Sequence, residues 1–348
     1  MKILITGGGG FIASHFIESL QNLGHEIVVF DLVPPPPGSN SAEFIRGDLR
    51  NLEAVTRALA GCDKVLHLAA AHFDFGIDAP TYHSVNVDGA RVLCQAMQQN
   101  NITDCCFYST VAVYGTAPGL LDETTSAQPD SPYGATKLQA EAVFQEWVAD
   151  QPERRCLVIR PTVTFGPRNY TNMYSLIRQI NKGLFFQIGK GDNIKSLSYV
   201  ENIVAATIFL WFDPEAKREN FDIFNYVEKP DLCSSEITNM VYRALGKTPP
   251  RFRLPYYLTR VLALPLDLVI KLTGVNLPIS GARIKKLSKV VTKFEADKVR
   301  DAGFKAEISI EEGIQRMVDW FLHGENISIE QGLSARVPPS SIVETREE

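Results

Sequence analysis

"KILITGGGGFIAS", residues 2–14, is the stretch whose reading decides the fold. Lys2–Thr6 is a short apolar run of strand type, and glycines follow at once. From Phe11 the apolar residues recur at helical spacing until Gly24. A glycine-rich run carries meaning in this context, between a strand and a helix. The useful spacing is Gly7-x-x-Gly10-x-x-Ala13. Gly7 permits a tight turn, Gly10 lets the backbone approach a pyrophosphate, and Ala13 is small enough for the helix to pack on the strand. The helix start offers unpaired N–H groups and the positive end of its dipole to phosphates. The next strand, "EIVVFD" (26–31), ends in Asp31, at the distance of about 20 residues that a ribose-binding acid requires. A carboxylate there accepts hydrogen bonds from both adenosine ribose hydroxyls and repels a 2′-phosphate. No Arg follows within several residues, so the pattern predicts NAD rather than NADP.

Outward from this unit the rhythm repeats. "KVLHLA" (64–69), "DCCFYS" (104–109) and "RCLVIRP" (155–161) read as strands, with helical stretches near 51–60, 80–100 and 131–150. Strand, helix, strand in this order predicts an α/β fold: a doubly wound parallel sheet with helices on both faces. Residues 1–165 form the dinucleotide-binding domain on this reading, and later segments near 185–225 return to it. Residues 166–324 supply most of a smaller C-terminal α/β substrate domain. Residues 325–348, polar and containing "VPPSS", read as a mobile tail.

Bulk properties narrow the function. The 348 residues are 45% apolar and 22% charged, with net charge -5. No basic character points to nucleic acid. The six cysteines lack CxxC spacing, which predicts reduced core thiols in a cytosolic protein and no metal site. "MKILITGG" reads as a strand and a glycine turn, not a leader, and no stretch approaches the roughly 18 apolar residues of a membrane span.

Two further stretches carry chemistry. "YSTVAVYG" (108–115) ends a strand at the carboxyl edge and brings Ser109 and Thr110 to the cofactor crevice. "SPYGATK" (131–137) opens a helix and sets Tyr133 one turn from Lys137. A free phenol has a pKa of about 10, and lowering it by three units takes roughly 4 kcal/mol. A nearby ammonium and a positively charged nicotinamide together supply a shift of that order. The phenolate then takes a proton from an alcohol while a hydride leaves the same carbon. Asp48, in "RGDLRN", is placed to meet the adenine amino group, with Leu49 lining the pocket; the same stretch also fits a helix N-cap region. Small residues in "HLAAA" (67–71) leave room for the cofactor.

Jointly, "TGGGGFIAS", Asp31, "GDL", "HLAA", "NVDG", "STVAVYG", "YGATK", "RPTVTFGP" and "GKGDNIKSLSYVEN" resemble the extended short-chain dehydrogenase/reductase superfamily, the NAD-dependent epimerase/dehydratases. The likeness spans roughly residues 1–205, with weaker matches in "FEADKVRDAGF" and the terminal helix. It implies a Rossmann domain with bound NAD. It implies that Phe11, Ile12, Leu68, Ala69, Ala70, Asn86, Ser109 and Pro161 line the cofactor site with the residues already named. It implies that Thr110, Tyr133 and Lys137 are the catalytic set, that the substrate is a nucleotide sugar, and that the chain is a cytoplasmic homodimer. Dehydratases of this kind carry an acid pair after the catalytic threonine; Val111 and Ala112 stand there, which disfavours elimination.

The resulting expectation is a nucleotide-sugar epimerase acting at C4 through a 4-keto intermediate, as in bacterial surface-polysaccharide synthesis. A 4-ketosugar reductase or a 3β-hydroxysteroid-type dehydrogenase is the enzymatic alternative, and an NAD-sensing regulator the non-enzymatic one. His72, Asp74, Asn169, Lys195 and Arg283 are the substrate-side candidates; Lys195 replaces the family's usual arginine. A polar loop accounts equally for His72, and a solvated surface for the two basic residues. The apolar segment "LPYYLTRVLALPLDLVIKLTGVNLPIS" (254–280) either packs into the substrate domain or, with the basic run up to residue 289, lies on a membrane surface.

Overall fold

In a computed structural model, described for residues 1–35, 42–72, 77–250, 253–259, 261, 264–265 and 292–324, strands and helices alternate through the first half of the chain. Strands β1 (Lys2–Thr6), β2 (Glu26–Asp31), β3 (Glu43–Arg46), β4 (Lys64–His67), β5 (Asp104–Tyr108) and β6 (Arg155–Pro161) lie in one sheet with β10 (Phe221–Tyr226), numbered in chain order. The order is β10-β6-β5-β4-β1-β2-β3, and every neighbouring pair is parallel. The winding reverses between β1 and β4. A crevice opens at the carboxyl ends of those two strands, where doubly wound sheets bind ligands.

Side chains on the strands alternate between two apolar layers. Ile3, Ile5, Val29 and Leu66 face α1 (Phe11–Asn22) and α7 (Val200–Phe212), meeting Phe16, Leu20, Ile203 and Leu210. Leu4, Val28, Phe30 and Val65 face α2 (Leu52–Ala58), α4 (Gly89–Gln99) and α5 (Pro132–Ala149), meeting Val55, Leu93, Met97 and Phe144. Each such fully buried side chain contributes roughly 1.5–3 kcal/mol. Burial on both faces explains why these strands read as continuous apolar runs. A separate core joins α6 (Asn172–Asn181), α8 (Ser234–Ala244) and α10 (Ile310–His323) around Ile177, Val241, Ile314 and Met317. The short elements are α3 (Ala79–His83), β7 (Val163–Phe165), β8 (Ile194–Lys195), β9 (Leu197–Tyr199), β11 (Leu232–Cys233) and α9 (Asp297–Asp301).

Two elements differ from the sequence reading. The strand expected over 64–69 stops at His67, because residues 68 and 69 turn under the glycine loop. The helix expected over 80–100 is interrupted by a π-helical turn at Ser84–Asp88, which carries the buried Asn86. All six cysteines are free thiols, and five are buried. Among the described residues no helix is long and apolar enough to cross a membrane. The expected tail at 325–348, Asp74, Arg283 and most of the 254–280 segment lie outside the described residues.

Candidate active site

The glycine turn is built against the floor of the crevice. Gly7 has φ +70°, and a Cβ there would stand 2.5 Å from the backbone N of Ala69. Only glycine combines that dihedral with that approach. A Cβ on Gly10 would meet only the Gly7 carbonyl, at 3.0 Å, so the space above it is open. Gly10 is the N-cap of α1 and offers no side chain to the helix's first N–H groups, while Ala13 is buried. An open glycine over uncapped N–H groups fits a pyrophosphate. At the end of β2, Asp31 receives the Gly9 N–H at 2.9 Å and the Val33 N–H at 3.2 Å. Its carboxylate therefore fixes the shape of the glycine loop as well as standing where a ribose would lie.

Asp48 is held by Arg50, whose Nη2 donates to Oδ2 at 2.6 Å, with burial opposing and the guanidinium outweighing it to lower the carboxyl pKa. The N-cap of α2 is Asn51, whose side chain accepts from Ala54 N, so that capping role falls outside Asp48. Leu49 is buried against Gly89. Leu68 and Ala69 are half-buried beneath the turn, and Pro161 closes β6. Asn86 ties three elements together. It accepts from Ala71 N (2.8 Å) and donates to the Ala71 carbonyl (3.1 Å) and to Thr136 Oγ1 (3.0 Å). It thereby fixes the strand-end loop against α5.

The start of α5 carries Tyr133 and Lys137. Ser131 caps it by accepting from Gly134 N at 3.1 Å, and Pro132 occupies the first turn. Gly134 lies so close to the turn after β5 that a Cβ would stand 2.4 Å from the Ala112 carbonyl oxygen. That turn begins at Thr110, whose Oγ1 accepts from Ala112 N at 3.1 Å. The start of α5 is thus packed against the turn that Thr110 opens. The Tyr82 ring lies 6.4 Å from the Tyr133 ring, centroid to centroid.

Lys137 is 2% exposed, with Nζ 4.1 Å from the centre of the Phe107 ring. Burial lowers its pKa to about 7, and Glu141, one turn further along α5, pulls it back up. The His67 ring also stacks on Phe107, and burial and then Lys137 keep it well below the ordinary imidazole pKa. His67 is hydrogen-bonded to Thr6 Oγ1 at 2.7 Å.

A buried polar chain links β5, α5, β6 and β10. Ser109 Oγ donates to Glu141, which accepts from Arg160 Nε (2.9 Å) and Nη2 (2.5 Å). Arg160 Nη1 donates to Tyr114 OH (2.8 Å), and Tyr114 donates to Asn225 Oδ1 on β10 (2.9 Å). Burial opposes the Arg160 charge, but Glu141 outweighs it and raises the guanidinium pKa. Sequence reasoning missed this chain. Its signals are Glu141 four residues after Lys137, and an arginine inside the apolar run "RCLVIRP".

The substrate-side candidates are scattered. His72 is exposed, its ring nitrogen 3.2 Å from the Ala70 carbonyl. Asn169 is buried and locally engaged: Oδ1 accepts from Thr171 N and Oγ1, and Nδ2 donates to the Thr164 carbonyl. Lys195 lies on β8, paired with Leu232 of β11. Among the described residues no group of three His, Cys, Asp or Glu is arranged to hold a metal ion.

Comparison with known proteins agrees with this architecture. The model of the NAD dependent epimerase/dehydratase family matches residues 3–225. An N-acetyl-alpha-D-glucosaminyl-diphospho-ditrans,octacis-undecaprenol 4-epimerase of Escherichia coli O157:H7 is 35% identical over 94% of this chain and 98% of its own length. A decarboxylating sterol-4-alpha-carboxylate 3-dehydrogenase of Mus musculus is 26% identical over 92% of this chain and 91% of its own. Among solved structures, a Thermus thermophilus UDP-glucose 4-epimerase in complex with NAD shares the fold with TM-score 0.73, at 24% identity over 93% of this chain and 99% of that one.

Proposed function

Since the chain belongs to the NAD-dependent epimerase/dehydratase family, we propose that it inverts C4 of a sugar carried on a diphosphate, nucleotide sugars included. The observation that supports the reading is the junction at Gly134, which brings the start of α5 against the turn that opens at Thr110, with Val111 and Ala112 in that turn where an eliminating enzyme needs acids. The 4-epimerase among its relatives supports the same reaction; in that protein's name the carrier is undecaprenol diphosphate.

Gly7, Gly10, Phe11, Ile12, Asp31, Asp48 and Leu49 hold the adenosine end of NAD in this reading. Leu68, Ala69, Ala70, Asn86, Ser109 and Pro161 line the rest. Bound NAD supplies the acceptor and donor of the hydride. Thr110 holds the C4 oxygen, and Tyr133 as phenolate removes its proton, leaving a 4-keto sugar. The ketone turns over in the site, and Tyr133 returns the proton to the oxygen of the inverted alcohol. Lys137 stabilises the phenolate while it is charged, and Glu141 favours that charge. On the substrate side, Lys195 and Arg283 meet the diphosphate and His72 the sugar, while Asn169 shapes the loop before α6. The enzyme works as a cytoplasmic homodimer paired through α4 and α5.

The test is incubation with a panel of UDP-sugars and no added cofactor, together with analysis of what denaturation releases. The reading expects released NAD and C4 epimers without net NADH. NADH accumulating in step with a ketone, from a sugar or a 3β-hydroxysteroid, would contradict it and favour a dehydrogenase.

A further inference from the structure

Twelve large apolar side chains among the described residues are exposed, and six of them fall in two short segments. Leu184 and Phe186 are 64% and 56% exposed, while Phe185 between them packs on the second core. Tyr257, Leu258, Val261 and Leu264 form the other group, with Tyr257 82% exposed. The described residues between 256 and 265 are helical. Tyr257, Val261 and Leu264 follow one another at helical spacing and are all turned to solvent, while Thr259, between them in sequence, is buried.

The two segments adjoin. Leu254 N donates to the Gln187 carbonyl and Gly189 N to the Leu254 carbonyl, both at 2.9 Å, and Arg253 Nη1 donates to the Lys190 carbonyl at 2.8 Å. The surrounding sequence is cationic in a chain of net charge -5. "RQINKGLFFQIGK" (178–190) and "RALGKTPPRFRLPYYLTR" (243–260) contain no carboxylate, and the second carries Lys247, Arg251, Arg253 and Arg260 besides Arg243, which pairs with Glu311 at 2.7 Å. Lys182, Lys190 and Arg253 are exposed.

We propose that this apolar face, with its cationic rim, docks on an anionic lipid bilayer and presents the site to sugar diphosphates anchored in that bilayer. An apolar stripe edged by Lys and Arg is the pattern that lies at the headgroup boundary. Each cation near an anionic surface strengthens the attachment, and the effect falls off within a Debye length. A second copy of the chain fits the face poorly, since a two-fold pairing sets cations against cations. The second half of the proposal rests on the diphosphate-sugar reading; the first does not.

The experiment is co-sedimentation of the full chain with vesicles of phosphatidylcholine alone, or of phosphatidylcholine with one-third phosphatidylglycerol. Pelleting with the anionic vesicles, weakened by salt, is expected. The double variant Tyr257→Ser/Val261→Ser removes two solvent-facing side chains and should lower vesicle binding at least roughly tenfold. Its NAD content and its turnover of a water-soluble UDP-sugar should stay unchanged. Wild-type chain left in the supernatant with both vesicle types overturns the docking proposal. So does a variant that binds like wild type, or one that changes oligomeric state and not vesicle binding. Vesicle binding without epimerisation of any sugar diphosphate supports docking and overturns the proposed function instead.

Discussion

Lys137 works against the fold that holds it. Its ammonium is buried beside Phe107, and burial brings its pKa from 10.5 to about 7. A depressed amine destabilises the folded state fully below pH 7; the penalty shrinks as pH rises and vanishes above 10.5. Lys137→Met should therefore raise stability at pH 7 by an amount on the order of a few kcal/mol. Denaturant melts should show the gain narrowing between pH 7 and 10.5, while turnover is lost. Tyr133→Phe removes the proposed proton carrier and should cost about 10²–10⁴ in turnover with NAD retained. Glu141→Gln removes the charge that favours the lysine's proton and leaves buried Arg160 without an anion. Breaking a buried pair costs about 3–5 kcal/mol. The variant's alkaline loss of activity should also begin at lower pH than in wild type. Tyr133 and Lys137 were legible as a pair because four residues make one helical turn. Glu141 shared that face and went unread, since a lone acid on a long helix looks solvated until the strand holding Arg160 is seen behind it.

At the level of elements, the glycine turn shows how much a local pattern carries. Its spacing named Gly7 and Gly10, but not what they touch. Gly7 is constrained by the backbone of residues 68 and 69, a contact across 61 or more residues that no local window contains. Gly7→Ala should destabilise the protein by at least ~1 kcal/mol from the dihedral alone and reduce the NAD released on denaturation to near zero. The same reasoning explains the shortened β4 and the broken 80–100 helix. Periodicity marked the helix, and the π turn that tucks Asn86 under Ala71 depends on tertiary hydrogen bonds. Asp31 was legible as the acid that ends β2; its hold on the glycine loop through Gly9 was not. Asp31→Asn can keep the Gly9 N–H bond but gives up the Val33 one and the charge, so the ratio of NAD to NADP affinity should fall, as titration of both dinucleotides would show.

Across the whole molecule, the doubly wound sheet was readable because strands buried on both faces must be apolar throughout. The part outside this sheet was harder, because its strands are two or three residues long and its core comes from three helices distant in sequence. The polar chain from Ser109 to Asn225 ties β5, α5, β6 and β10 together within the sheet's own layer, and no motif announces it. Carbon-bound deuterium tests the account most directly. A UDP-sugar deuterated at C4, incubated with the purified chain and no added cofactor, should give the C4 epimer with deuterium still on C4. Epimer that has exchanged its label with solvent, or label recovered in a reduced cofactor pool while a ketone accumulates, would contradict inversion through a 4-keto sugar held in one site.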